Sequence, residues 1–382
     1  MPEIIMNELG QKVRCYDFVE WQNRLKARRI WRGDVDLNDK DLVVRHTWGI
    51  GDILYSTVAL RGLKEKFPRV RIHYVCTHPE ILEGNPDVHA AYHWAEYENL
   101  VTVGLGKALE EEWYFLDYDV PLKGGYDYKI HLRPQPKLNE HLVQLLRKNP
   151  KDLQGDELAF VNQASTSVIN RYKMIALDMY AMHAFVKPKE MTIHYYPTDS
   201  ELEVAKRFMA PMRAAGKKVI ILVPHSSTPF KDYPHWKQVI RQLPASYFWL
   251  ILDSGRRPET WAGDNVFDCS GAFKLRQAAA LIIEADLVCS SDTGLVYTRL
   301  ARGGKAVMTY GPHDPAPFLF YFQPQAHGMR IEKLKTTAGM EGMCAVGCYI
   351  DTVNCKSGSL VSPCLNELSS ERVVEEIKLC ME

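Results

Sequence analysis

The sequence predicts an α/β fold built from two doubly wound halves that face a cleft. Strand-length apolar runs alternate with helical stretches from Asp41 onward, and after a polar, proline-bearing interval the alternation restarts at Val219. Small polar or glycine turns directly follow several of those strands, which is where open α/β sheets bind ligands.

Residues 11–33 hold Lys12, Arg14, Lys26, Arg29 and three further arginines against only Asp17 and Glu20, so 1–40 reads as a locally basic arm. A solvated helix face and contact with an anionic acceptor both fit it. Leu42-Val43-Val44 marks the first buried strand, 42–46, and Ile53, Thr57, Leu60, Leu63 and Phe67 recur behind it at helical spacing. Further strands are expected at 72–76 and 128–132. The stretch 133–170 reads as irregular or helical, and a helix fits 171–185. Lys187-Pro188 and Tyr196-Pro197 then mark a linker. The second series has strands at 219–223, 248–252, 286–289 and 306–310 and helices at 235–243, 274–284 and 294–302. The expected domains are 1–40, 41–187, 188–343 and 344–382.

With 382 residues and 46% hydrophobic content the chain can bury two cores, and disorder is not expected. Lys+Arg and Asp+Glu balance at 47 each, so net charge does not indicate a nucleic-acid partner. The first residues carry acids and no long apolar run, and no stretch approaches the roughly 18 to 20 apolar residues of a membrane span. The expectation is a cytoplasmic enzyme, with attachment to the periphery of the inner membrane compatible with it.

The most informative segment is Gly49-Ile50-Gly51-Asp52, a strand-to-helix turn. Glycines admit a ligand close to the backbone, and the free amides of a helix start attract anions. Asp52 reads either as a helix-start carboxylate favoured by the dipole or as a general base. A dinucleotide site fits poorly: Leu54 stands where a third glycine belongs, and strand 72–76 ends without an acid for a ribose. In the second half, Pro224-His225-Ser226-Ser227-Thr228 and Lys231 follow a strand end, offering hydroxyls and a cation to phosphate oxygens. Ser291-Asp292-Thr293-Gly294 follows the next and leads into a helix. Each alone is also an ordinary capped turn; together they face one cleft. A fourth turn, Tyr310-Gly311-Pro312-His313-Asp314-Pro315, shapes the same cleft.

This order of motifs resembles glycosyltransferase family 9, the heptosyltransferase-like enzymes of bacterial surface-polysaccharide assembly. Gly49-Ile-Gly-Asp52 through Ala59-Leu-Arg-Gly-Leu-Lys64 is similar to the family's first signature, and Glu83-Gly-Asn-Pro-Asp87 to the stretch after its second strand. Phe273–Leu281, Ala285–Val288, Ser291–Gly294 and Tyr310–Pro315 resemble its donor-domain segments. The resemblance implies a GT-B fold of two Rossmann-like domains, acceptor on the first and nucleotide-diphosphate sugar on the second, with inverting transfer that requires no metal. It implies Asp52 as base, Gly51 near the transferred sugar, Ser226, Ser227, Lys231, Asp292, Thr293 and Gly294 around the diphosphate, and Glu259 at the ribose. The implied acceptor is a glycan or glycolipid, as in lipopolysaccharide assembly. A nucleic-acid base or a protein hydroxyl as acceptor, or a binding protein without turnover, are the rival readings. Two departures stand out. Tyr297 occupies the place where the family commonly has a histidine, and residues 95–170 match nothing.

Cys344-x3-Cys348-x6-Cys355-x8-Cys364 clusters near the end of the chain. The four thiols suit a structural zinc, with disulfides and reduced cysteines as alternatives. The final helix, 366–381, is expected from the family architecture to pack back across the domains.

Overall fold

The computed structural model describes residues 3–6, 12–15, 29–30, 33, 35–46, 49–94, 114–117, 175–227, 229–254, 260–311, 315–329 and 362–382. The strand expected at 128–132 lies outside them. The strands are β1 (Glu3–Met6), β2 (Lys12–Cys15), β3 (Arg29–Ile30), β4 (Asp41–His46), β5 (Arg71–Cys76), β6 (Ala90–His93) and β7 (Tyr114–Asp117), then β8 (Lys218–Val223), β9 (Tyr247–Ile251), β10 (Val266–Asp268), β11 (Leu287–Ser291), β12 (Ala306–Thr309) and β13 (Ala326–Met329). β1 and β2 pair antiparallel; all other pairings are parallel.

The first sheet runs β3-β7-β4-β5-β6 and the second β10-β9-β8-β11-β12-β13. In the second sheet the chain winds outward from β8 through β9 to β10, returns, and winds the other way from β11 to β13. That is the dinucleotide-fold strand order, and its reversal lies between β8 and β11. The first sheet reverses likewise between β4 and β7. At such a reversal the flanking loops diverge and leave a crevice beyond the carboxyl ends of the strands. The turns after β4, β8 and β11 are the ones singled out above. The basic segment also contributes β3 to the edge of the first sheet.

Parallel strands are buried on both faces, which explains their continuous apolar runs. In β8, Val219, Ile221 and Val223 join the larger core, while Ile220 and Leu222 face a second one with Trp236, Trp249 and Leu287. The helices are α1 (Ile50–Lys66), α2 (Ala176–His183), α3 (Asp199–Ala214), α4 (Trp236–Gln242), α5 (Leu275–Glu284), α6 (Tyr297–Leu300), α7 (Pro315–Leu319), α8 (Pro363–Asn366) and α9 (Ser370–Met381). Most of α1 is buried, from Ile53 through Leu63 apart from Arg61, because it is sandwiched between its own sheet and α2. α3 starts on a capping box in which Thr198 Oγ1 accepts from the Glu201 amide and the Glu201 carboxylate accepts from the Thr198 amide.

Three expectations change. Ser290 and Ser291 belong to β11 rather than to the turn, because they pair with Val223 and Thr309 on the neighbouring strands. The helix expected at 294–302 is a 3-10 turn, Gly294–Val296, followed by the short α6. α9 does not cross to the first sheet among the described residues. Val373, Val374 and Ile377 pack instead with Trp236 and Val239 against the outer face of the second sheet.

Candidate active site

Asp52 owes its position to Gly49, the residue at the N-cap of α1, which carries no capping side chain. The Asp52 amide donates to Gly49 O at 3.0 Å, so the carboxylate lies in the first turn, where the helix dipole favours it. Its partner is distant in sequence: Tyr180 Oη donates to Asp52 Oδ1 at 3.0 Å. The other oxygen, Oδ2, would lie 3.5 Å from a methyl group placed on Gly49. Glycine there keeps the approach to Oδ2 open.

In the second half, a buried hydroxyl organises the loop after β8. Ser291 Oγ donates to Pro224 O at 2.6 Å and accepts from the Tyr233 amide at 3.0 Å and from Trp236 Nε1 at 3.3 Å. Asp232 closes the same loop: Oδ1 accepts from the Ser226 amide at 2.7 Å, and Oδ2 from His225 Nδ1 at 3.1 Å. Held this way, Lys231 Nζ stands 3.1 Å from Asp292 Oδ2. Ser226 and Asp292 are buried, Lys231, Thr293 and Gly294 half-buried, and Ser227 exposed. The sequence reading passed over Ser291 and Asp232 as organisers, since their partners are set by the folded loop. Glu259, Cys344, Cys348 and Cys355 lie outside the described residues. Cys364 is half-buried in α8, its sulfur near the Gly311 backbone.

The two turns meet. A Cβ on Gly294 would fall 2.2 Å from Gly51 N and 2.7 Å from Gly51 Cα, closer than any real side chain sits. Glycine at 294 is therefore required for the helix start of one half to touch that of the other. Tyr297 covers this contact: its ring lies 4.7 Å from that of Tyr55, and its hydroxyl 3.1 Å from Tyr310 Oη. Burial, and then the charges of Asp292 and Asp52, push the Tyr297 phenol well up from its ordinary value.

A family model described as glycosyltransferase family 9 (heptosyltransferase) matches residues 156–349, half of the chain. The chain belongs to glycosyltransferase family 9. Among solved structures, E. coli ADP-heptose LPS heptosyltransferase II matches at 16% identity and TM-score 0.57, over 90% of this chain and 98% of that one. A family 9 glycosyl transferase from Veillonella parvula matches at 17% identity and TM-score 0.52, over 92% and 99%. The iron-containing dodecameric glycosyltransferase TibC from enterotoxigenic E. coli matches at 13% identity and TM-score 0.54, over 91% and 77%. These likenesses establish the GT-B fold. No curated protein sequence matches.

In this family 9 glycosyltransferase the residue three places beyond Gly294, Tyr297, is committed to a buried pair with Tyr310, so its hydroxyl already has a partner. Among the described residues one group has metal-ligating character: His327, Glu376 and Cys380, whose ligand atoms lie within 4.8 Å of one another. His327 Nδ1 donates to Glu376 Oε1 at 2.5 Å, so an ion with bonds of about 2.0–2.1 Å to each would have to push them apart. Burial pushes the Cys380 thiol up to about 11, as expected of a packing group. No helix among the described residues is long and apolar enough to cross a membrane.

Proposed function

We propose that the enzyme transfers a sugar, with inversion and without a metal in the chemical step, from a nucleotide-diphosphate sugar to an acceptor hydroxyl. Asp52 Oδ2 accepts the hydroxyl proton as the acceptor oxygen bonds to the anomeric carbon. The bond from that carbon to the diphosphate breaks on the opposite face, and its electron pair leaves with the diphosphate oxygen. Lys231 and the Ser226–Ser227 segment stabilise the charge that develops there, as preorganised donors do. A carboxylate beside a diphosphate would repel it, so Asp292 serves by fixing the Lys231 ammonium rather than by touching phosphate. Thr293 and Gly294 line the turn, and Gly51 leaves room for the sugar. Glu259 at the ribose remains part of this proposal, and for Cys344, Cys348, Cys355 and Cys364 a structural zinc stands beside disulfides and reduced thiols as alternatives.

The observation that carries the reading is the contact of Gly51 with Gly294. It brings a helix-start carboxylate and a lysine-bearing loop to the same cleft, each at the topological reversal of its own sheet. Because structural neighbours include an ADP-heptose enzyme, ADP-heptose is the first donor to test and a lipopolysaccharide core the first acceptor. Binding is measured across ADP-, UDP-, GDP- and CMP-sugars. Preference for CMP-sugars, which carry a single phosphate, would sink the diphosphate assignment. Asp52→Asn should lower transfer by about 10²- to 10⁴-fold and leave nucleotide-diphosphate binding intact. Lys231→Ala should weaken that binding instead, and unaltered donor affinity would count against its role.

A further inference from the structure

We infer that Tyr180 and His46 are positioning residues that hold Asp52 in its reactive orientation, an inference that rests on Asp52 being the base. Three residues, from the end of β4, the start of α1 and the middle of α2, form one hydrogen-bonded line. Tyr180 Oη lies 3.0 Å from Asp52 Oδ1 and 3.0 Å from His46 Nε2. A phenol has one proton, and an ionised carboxylate can only accept, so Tyr180 donates to Asp52. The histidine nitrogen must then be the donor to the phenol oxygen, which fixes the proton on His46 Nε2. The direction of the line is set: His46 to Tyr180 to Asp52.

The surroundings hold it rigid. His46 and Tyr180 are each 4% exposed, and the Tyr180 ring lies parallel to that of Tyr55, centroids 6.2 Å apart and 1° between planes. Tyr55 is itself anchored, its hydroxyl donating to Phe318 O at 2.7 Å. A carboxylate in the first turn of a helix is free to rotate about its χ angles. Here one oxygen is taken by a buried phenol, so the other is directed to the glycine side, where an acceptor hydroxyl would have to come. Chemistry that depends on hydrogen-bond geometry loses about 10²-fold when the reacting group is misplaced by about 1 Å. His46 polarises the phenol and keeps it from turning away.

The test is steady-state ADP release from ADP-heptose with heptose-deficient lipopolysaccharide core as acceptor. Tyr180→Phe keeps the ring and its stacking but removes the donor. It should lower kcat about ten- to a hundredfold, with the KM for ADP-heptose and the affinity for ADP unchanged. His46→Leu should act in the same direction, and His46→Gln, which presents an amide N–H in place of the imidazole N–H, should recover part of the loss. In the Asp52→Asn background Tyr180→Phe should cost nothing further, because it acts through Asp52. A wild-type kcat for Tyr180→Phe beside a dead Asp52→Asn overturns this inference and spares the base. Full activity of Asp52→Asn overturns both. A Tyr180→Phe loss that appears in KM, or that adds in full to that of Asp52→Asn, reassigns Tyr180 to a merely structural role.

Discussion

Gly294 shows how little space separates the halves. Its missing side chain is what lets two helix starts touch backbone to backbone, since the atoms a methyl group would meet belong to Gly51 and cannot rotate aside. Gly294→Ala should therefore destabilise the protein by about 1–3 kcal/mol in denaturant titrations and reduce transfer beyond that of an equally destabilised core variant. Wild-type stability and rate together would mean that the turns do not meet in solution. Ser291 makes the same point for a polar group. A fully buried hydroxyl with three partners is worth more as an organiser than any of the exposed hydroxyls near it.

Among the elements, α9 is stabilised by packing rather than by its own propensity. Its apolar positions Val373, Val374, Ile377 and Cys380 recur at helical spacing and complete the core around Trp236, Val239 and Trp249. Ile377 is fully buried, so Ile377→Ala should cost about 2–5 kcal/mol, read as a shift of the denaturation midpoint. A cost near zero would place α9 off the sheet. Central strands such as β4 and β8 were legible because a strand covered on both faces carries an unbroken apolar run, Leu42–Val44 in one and Val219–Val223 in the other. Edge strands were not. β6, β10 and β13, with sequences AAYH, VFD and AHGM, have no such run, and their pairing comes from the strand beside them.

For the molecule as a whole, the two halves are tied together by Arg276 at the start of α5. Its guanidinium donates to both oxygens of Glu201 at 2.6 and 2.7 Å, to Glu80 O at 3.0 Å, to Glu83 O at 3.1 Å and to Tyr196 O at 3.2 Å. Its side chain is 9% exposed, so Arg276→Met leaves a carboxylate and three carbonyls without their donor and should cost about 3–5 kcal/mol. Burial works against ionising Glu201, but the hydrogen bonds from Arg276 and Thr198 outweigh it and hold the carboxyl below its ordinary value. A carboxyl depressed in the folded state stabilises above its unfolded pKa, about 4.3, and that contribution disappears as pH falls through the folded value. Acidification from pH 6 to 3 should thus lower the melting temperature more steeply in the wild type than in Arg276→Met; parallel slopes would exclude this linkage.

Glycines, strand-end turns and the carboxylate at position 52 were readable along the chain, because local chemistry demands those residue types at those places. The fold class and the family signature followed from their order. The partners of Asp52 were not readable: Tyr180 is 128 residues away, and Tyr180 and His46 are 134 apart. Neither has a local pattern that distinguishes it from any buried tyrosine or histidine. Periodicity and turn chemistry are properties of neighbours in sequence, whereas the line from His46 to Asp52 exists only once the helix bearing Tyr180 packs on α1, the Lys231–Asp292 pair only once β8 and β11 lie side by side, and the meeting of Gly51 with Gly294 only once the two halves have come together.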